Sequence, residues 1–336
     1  MTTLLTVILN WRTPDMTLKS VEAALLALTG INGALVIVDN ASGDGSFERL
    51  TQEVAARGWN TGPQSVRVLQ AGRNGGFGAG NNFGMRAGLV GGLRPDFVYI
   101  LNSDAFPEPQ AIKALMAHLV AHPKTGFAGS YIYGEDGAAH RTAFRFPSIA
   151  SEFEGQVRFG PVSRLLAGFI VARPIPTETC RVDWLAGASL MMRQSVLDQI
   201  GLFDEQFFLY FEETDLCRRA AVAGWPTDYV VQNRVMHIGS VSTGMKAWAR
   251  IPRFWLDSRL HYFVKNHGRA YAVAATAAHI AGGILWRLRL LVQRKDRGDP
   301  PKYLRDLAWH GLQAMVSGVA RKSDKPAPQT TARTPQ

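Results

Sequence analysis

TLLTVILNWRTPDMTLKSVEAALLALTGINGALVIVDN, residues 3–40, decides the fold of this chain. Residues 3–9 form a short apolar run that ends at Asn10, and residues 34–38 form another that ends at Asp39-Asn40. A plausible helix over 14–28 lies between them. Two apolar runs of strand length joined through one helix predict parallel neighbours in a sheet. Working outward, Val66-Arg67-Val68-Leu69 and Phe97-Val98-Tyr99-Ile100-Leu101 read as further strands, with helices over 46–57, 79–90 and 108–121. The alternation predicts an α/β fold with a mainly parallel central sheet flanked by helices. In such sheets ligands bind outside the carboxyl ends of the strands. Those ends carry Asn10, Asp39 and Asn102-Ser103-Asp104, which should therefore share one edge.

The chain has 336 residues, 46% of them hydrophobic, enough to bury a full core in one large domain or two. Cys180 and Cys217 have neither metal-ligand spacing nor a disulfide framework, which suits a reducing cytoplasm. No basic leader precedes the first apolar run, so it reads as a strand and not a secretory signal. The net charge of +10 is uneven: from Lys265 to Lys322 eleven Lys/Arg face three Asp. A basic end on a nearly neutral body predicts an anionic partner, membrane headgroups or nucleic acid. No nucleic-acid recognition motif accompanies it, which argues against the latter.

The pattern turns helical beyond 246. Residues 270–286 (AYAVAATAAHIAGGILW) are at the short limit for crossing a bilayer and are interrupted by His279. The following WRLRLLVQRK has the composition of an interfacial anchor. The plain alternative is a helix packed on the body with a solvated basic face. The expected segments are a nucleotide-binding and catalytic body over 1–245, a basic amphipathic helical extension over 246–322, and a disordered Pro/Thr/Gln-rich tail over 323–336. Residues 134–180 have little periodicity and read as loops and short strands over the site. Regular patterning resumes at Val182–Met192, a helix at 194–200 and a strand at 228–231.

FFLYFEETDLCRR, residues 207–219, runs apolar residues into Glu212, Glu213 and Asp215, followed by two arginines. Apolar flanks raise a carboxylate's pKa and arginines lower it, and such opposed environments separate a base from anchors. The plain reading is a helix start with acids at its positive end. Asp39-Asn40-Ala41-Ser42-Gly43 is either an Asx turn or an acceptor for a base N–H or ribose hydroxyl. Gly75, Gly76 and Asn82 belong to a Gly-rich stretch opening a helix, whose N–H groups could cradle phosphate. It lacks the dinucleotide fingerprint, which counts against a nucleotide-dependent oxidoreductase. Asp104, with Asn102 beside it, suits Mg²⁺ or Mn²⁺ that also takes phosphate oxygens, or else caps the next helix. His237 is a ligand or a structural histidine. Asp183, Trp184, Gly187 and Ala188 offer an acid, a flat aromatic and room for close approach, or ordinary packing.

VDNASGDGS, NGGFGAGNN, YILNSDA, DWLAGASLMMR, GLFDEQFFLYFEETDLCRR and the histidine of VMHIGS occur in this order over roughly residues 3–245. In that order they resemble family 2 glycosyltransferases of the GT-A fold, especially the branch containing bacterial rhamnosyltransferases. The resemblance implies an inverting, metal-dependent transfer from a nucleotide-diphosphate sugar to a hydroxyl of a glycan or lipid-linked glycan. The alternative is a non-catalytic nucleotide-sugar-binding relative. Asp39 and the Asn10 region would contact the donor's base or ribose, and the Gly75–Asn82 loop its diphosphate. Asp104 would hold Mg²⁺ or Mn²⁺, completed by His237. The position of the family's base, usually Asp, is Glu213 here, so the role could also fall to Glu212 or Asp215. Residues Asp183–Ala188 would shape the acceptor and donor-sugar pocket. The implied donor is dTDP-rhamnose, with UDP- or GDP-sugars open. The implied acceptor is polyprenyl-linked, and the enzyme would sit peripherally on the inner face of the cytoplasmic membrane through its C-terminal helices.

Overall fold

A computed structural model describes residues 2–62, 64–239, 249–294 and 300–316. The chain runs β1 (Thr3–Asn10), α1 (Pro14–Ala27), β2 (Asn32–Asp39), α2 (Ser46–Ala56), β3 (Val66–Gln70), α3 (Phe77–Ala87) and β4 (Phe97–Asn102). It continues through β5 (Ala105–Pro107), α4 (Ala111–Ala121), β6 (Phe127–Tyr133), β7 (Ala143–Phe144), α5 (Ile149–Val157) and α6 (Gly160–Leu165). Then come β8 (Cys180–Val182), β9 (Trp184–Leu185), β10 (Ser189–Arg193), α7 (Gln194–Ile200), α8 (Glu212–Val222) and β11 (Thr227–His237). Three helices follow: α9 (Arg253–His267), α10 (Arg269–Gln293) and α11 (Tyr303–Val316).

The main sheet has nine strands in the order β3-β2-β1-β4-β10-β6-β11-β5, with β8 also on β11. From β3 to β4 the strands are parallel, as the opening stretch predicts. Beyond β4 the sheet is mixed: β10 lies antiparallel between β4 and β6, while β6 and β11 are parallel. Both faces are covered. Leu18 and Val21 of α1, Leu50 of α2 and Ile112 of α4 pack on one side. Met85 of α3, Val196 of α7 and Leu216 of α8 pack on the other. This explains why β1 is almost wholly apolar: Leu4, Leu5, Val7 and Ile8 are all fully buried, each worth about 1.5–3 kcal/mol.

Register places the predicted edge. Asn10 pairs with Asp39 and Leu9 with Asn102, so the polar ends of β1, β2 and β4 do stand side by side. α3 packs unusually close beneath them: a Cβ on Gly80 would lie 2.4 Å from Leu9 Cδ1, and one on Gly84 2.6 Å from Val7 Cγ1.

Two expectations change. Residues 134–180 contain helices α5 and α6 as well as short strands, and α5 opens with a capping box between Ser148 and Ser151. Prolines on either side and a half-buried surface hide its periodicity. The Ala/Gly-rich run 270–286 is the inner part of α10, whose small residues let it lie against α5; a Cβ on Gly282 would stand 2.6 Å from the Phe153 carbonyl oxygen. His279 is buried there and does not interrupt a lipid-facing surface. Among the described residues no helix is long and apolar enough to cross a membrane. The proposed boundaries at 245 and 322 and the tail 323–336 lie outside the described residues.

Candidate active site

At the ends of β1 and β2, Asn10 Nδ2 donates to Asp39 Oδ1 at 2.8 Å, and Ser42 Oγ donates to the same oxygen at 2.6 Å. The Ser42 N–H donates to Asp39 Oδ2 at 3.1 Å, and Thr17 Oγ1 donates to Asn10 Oδ1 at 2.7 Å. Asn10 and Asp39 are thus fully buried and order the turn after β2. Arg12, exposed at this edge, has its guanidinium 5.1 Å over the Trp11 ring and bonded to the Ser42 carbonyl.

The Gly-rich segment has a second geometric task. Gly76 takes a φ of +89°, and a Cβ there would overlap the Phe208 carbonyl oxygen, which accepts the Phe77 N–H at 2.9 Å. Asn74 Oδ1 receives the Gly76 N–H. Asn82 Nδ2 donates to the Phe203 carbonyl at 2.8 Å and to Glu205 at 3.0 Å, while its oxygen accepts the Phe203 N–H. Gly76 and Asn82 therefore clamp the segment that leads into Glu212 and Glu213. Gly75 stands at the same turn, its would-be Cβ against Ala79.

At the end of β4 the chain turns into β5, whose pairing with the end of β11 sets His237 opposite Ala105. His237 Nε2 then lies 3.1 Å from Asp104 Oδ1 and 3.4 Å from Asn102 Nδ2. Two ligands each about 2.1 Å from one octahedral ion stand about 3.0 Å apart. The carboxylate–imidazole pair therefore has the spacing and chemistry to share a divalent cation. Among the described residues no group of three or more His, Cys, Asp or Glu could hold one without help.

The carboxylates follow a strained entry. Tyr210 and Phe211 have φ of 69° and 70°, the left-handed region that bulky side chains avoid. Aromatic packing from α9 fixes them: Tyr210 stacks on Phe254, and Phe211 meets Trp255 and Tyr262. This strain turns the chain into α8 with Glu212 and Glu213 at its first positions. Glu212 is buried with Oε2 unpartnered among the described residues, and burial followed by the neighbouring Glu213 charge pushes its carboxyl well above the usual range. Burial likewise pushes Glu213 up to about 7, partly offset by backbone N–H groups that include Gly187. Asp215 meets the opposite surroundings, accepting Arg219 Nε and Lys265 Nζ at 2.8 Å and Asn266 Nδ2 at 3.1 Å. It ties α8 to α9.

The stretch from Asp183 to Ala188 divides. Gly187 reaches Glu213, and the Ala188 carbonyl accepts the Asn102 N–H at 3.0 Å, linking the two halves of the site. Trp184 stacks on Phe144 and donates to the Arg145 carbonyl. Asp183 is exposed and accepts the Phe146 N–H. Trp184 and Glu213 open on a cavity of about 330 Å³ whose far wall comes from α5, α9, α10 and α11. That wall contains Glu152, Trp255, His279 and Tyr303, none of which was singled out in the sequence as a site residue. The one available signal was His279 within an Ala/Gly run.

An α/β sheet with a polar carboxyl edge, a carboxylate–histidine pair beside it and a helix-borne carboxylate over a cavity belongs to the GT-A class of fold. Solved structures of that class align: a Pyrobaculum calidifontis mannosyltransferase in complex with GDP-Man and Mn²⁺, at TM-score 0.55 and 13% identity, over 93% of this chain and 80% of that one. Staphylococcus aureus TarS in complex with UDP-GlcNAc aligns at TM-score 0.55 and 12% identity, over 94% and 81%. Residues 3–253 match the family model described as Glycosyltransferase like family 2, and the chain belongs to that family. It is 31% identical over 254 residues to the N-acetylglucosaminyl-diphospho-decaprenol L-rhamnosyltransferase of Mycobacterium tuberculosis, covering 73% of this chain and 79% of the relative. It is 26% identical to rhamnosyltransferase WbbL of Escherichia coli K12, covering 57% and 71%.

Proposed function

We propose that this glycosyltransferase moves rhamnose, with inversion, from a nucleotide-diphosphate sugar (dTDP-rhamnose foremost) to a hydroxyl of a polyprenyl-diphosphate-linked glycan in bacterial surface-polysaccharide assembly. The observation that carries the chemistry is the Glu213 carboxylate, held by the Gly187 N–H with its second oxygen unpartnered among the described residues and lining a cavity. The names of the two rhamnosyltransferase relatives carry the sugar.

Glu213 takes the acceptor hydroxyl's proton as that oxygen bonds to the anomeric carbon, and the bond to the donor phosphate breaks on the opposite face. One displacement inverts the centre, so no covalent sugar–enzyme bond is required. A carboxylate poised near neutrality is well matched to this proton transfer. Burial, followed by the neighbouring Glu213 charge, favours the protonated form of Glu212, which limits negative charge at the start of α8. Asp104 and His237 would hold Mg²⁺ or Mn²⁺, which supplies positive charge to the leaving diphosphate. Asn10, Asp39, Gly75 and Gly76 shape the donor edge. Asn102 stands between that edge and the metal pair.

Membrane attachment is the second part of the proposal. Ile284, Leu288, Leu291 and Val292 form an exposed stripe on α10, with Arg287 beside it and Arg294 just past its end. That arrangement suits a peripheral dock on an anionic leaflet at the cytoplasmic face.

The test is a melting panel of dTDP-, UDP- and GDP-sugars, each with Mn²⁺ or EDTA. A ligand at a hundredfold excess over Kd stabilises by about 2.7 kcal/mol. We expect dTDP-rhamnose with Mn²⁺ to raise the melting temperature and His237→Ala to remove the metal dependence. A shift with dTDP-rhamnose that is identical in EDTA would overturn the metal assignment. A shift confined to another donor would overturn the sugar.

A further inference from the structure

One face of α9 follows the segment that delivers Glu213. Phe254, Ser258, His261, Tyr262 and Lys265 recur at three- and four-residue spacing, which puts them on a single side of the helix. That side meets residues 204–215 along their length. His261 Nε2 lies 2.9 Å from Asp204 Oδ2, and its ring packs on Phe207 with centroids 4.6 Å apart. Phe254 packs on Phe208 and Tyr210, and Ser258 Oγ donates to the Leu209 carbonyl at 3.1 Å. Tyr262 lies against Phe211. Lys265 holds both ends: its Nζ donates to Asp204 Oδ2 and to Asp215 Oδ2, each at 2.8 Å. One ammonium thereby closes the segment that contains the left-handed Tyr210 and Phe211 and the carboxylate of Glu213. Each aspartate has a further partner of its own, His261 for Asp204 and Arg219 with Asn266 for Asp215. Neither is orphaned without Lys265. Burial alone would raise Asp204, but hydrogen bonds from His261 and Lys265 hold its carboxyl well below the usual range. Two carboxylates gathered on one ammonium repel one another once it is gone.

We propose that Lys265 is a positioning residue for the transfer reaction, a staple whose charge keeps residues 204–215 closed and Glu213 aimed at the acceptor oxygen. The inference rests on the reading of Glu213 as base. Left-handed backbone at two bulky residues persists only where the surroundings over-determine it. Packing from Phe254 and Tyr262 fixes the inner residues, and the staple keeps the ends from drawing apart. A general base must stay within hydrogen-bond reach of the proton it takes. A small drift at the entry to α8 therefore slows the chemical step while the donor edge, at the ends of β1 and β2, stays intact. The match to the family model ends at residue 253, so this duty falls to a helix beyond it. The C-terminal helices thus serve the chemical step as well as offering a surface to the membrane.

The experiment measures transfer from dTDP-rhamnose to a detergent-soluble, short-prenyl diphospho-N-acetylglucosamine by the full chain and its variants. Lys265→Met removes the ammonium and keeps the stem. Lys265→Cys alkylated with 2-bromoethylamine regains an ammonium of nearly the same reach, with wild type treated alike as the control for Cys180 and Cys217. Ile112→Ala opens a cavity on the opposite face of the sheet from α8 and weakens the fold with the staple intact. Lys265→Met should lose about tenfold to a hundredfold in kcat, with the donor KM and the melting shift from dTDP-rhamnose as in wild type. Alkylation of Lys265→Cys should restore most of kcat, and Ile112→Ala should keep it. Hydrogen exchange of the 204–215 peptide, which needs no substrate, should quicken in Lys265→Met and slow again in alkylated Lys265→Cys. Unchanged kcat or unchanged exchange in Lys265→Met, or no gain on alkylation, overturns the staple. An equal fall in kcat for Ile112→Ala also overturns it, because weakened folding then accounts for the loss. No transfer by wild type overturns the proposed substrates, and exchange still decides the staple. Full kcat in Glu213→Gln overturns the base and this proposal with it, whereas a slow Glu213→Gln beside a fast Lys265→Met leaves the base standing without the staple.

Discussion

Glu213 and Asp215 open the same helix and meet opposite environments. Asp215 is fully buried, yet Arg219, Lys265 and Asn266 satisfy it. Glu213 has apolar neighbours and a few backbone N–H groups, and its carboxyl rises to about 7. Between the ordinary carboxylate range and about 7 the folded chain holds a proton on Glu213 that the unfolded chain has released. Folding stability attributable to this group therefore falls as pH rises through that window. Glu213→Gln, which cannot ionise, should melt higher than wild type at pH 8 and equally at pH 4. Its kcat should drop by about 10²–10⁴ with donor binding retained. Wild-type kcat/KM should climb with pH to a shoulder near 7 that the variant lacks. A pH-rate profile beside melting curves at the two pH values checks both parts, and a variant that melts no higher at pH 8 would refute the buried-carboxylate account.

Helix α5 is held to α10 by shape and to α9 by the buried Glu152–Arg259 charge pair. Glu152→Ala leaves the Arg259 guanidinium 1% exposed without its carboxylate, a loss of about 3–5 kcal/mol that urea titration would register. Gly282→Leu must push α10 off the Phe153 carbonyl and should cost about 1–3 kcal/mol in the same titration. Wild-type stability in both variants would mean the helices are not docked as described. These contacts also mark the limit of sequence reading. The parallel half of the sheet was legible because β1, β2 and β4 are buried on both faces and carry unbroken apolar runs. Asp104 and His237 were legible as types, and the pairing of β5 with β11 that joins them is a long-range event with no local signature. The glycines at Gly76, Gly80 and Gly84 were legible as places of close approach, but not what packs against them within the protein, because a close approach looks the same in sequence whatever approaches. Here it is Leu9, Val7 and the carbonyl of Phe208. α5 was missed because its apolar face is completed by α10, more than a hundred residues later.

The molecule as a whole has an uneven surface, with the α10 stripe led by Val292 at 85% exposure. Vesicles containing phosphatidylglycerol should carry the full chain upward in a flotation gradient, and Leu288→Asp with Leu291→Asp should leave it at the bottom without lowering its melting temperature. Flotation unchanged by that pair would remove the dock. A different consequence follows from the wall shared by α5, α10 and α11. Synthesis delivers the polar ends of β1, β2 and β4 first and Tyr303 last, and at about 5–20 residues per second the interval from Glu152 to Tyr303 is roughly eight to thirty seconds. Once β11 has been made, a nascent chain has every strand of its main sheet but an α5 whose carboxylate still awaits Arg259 and whose backbone awaits Gly282. The growing polypeptide therefore completes its sheet before the helices that close over α5 exist, so a ribosome stalled in the last third would display a chain with the apolar flank of α5 open.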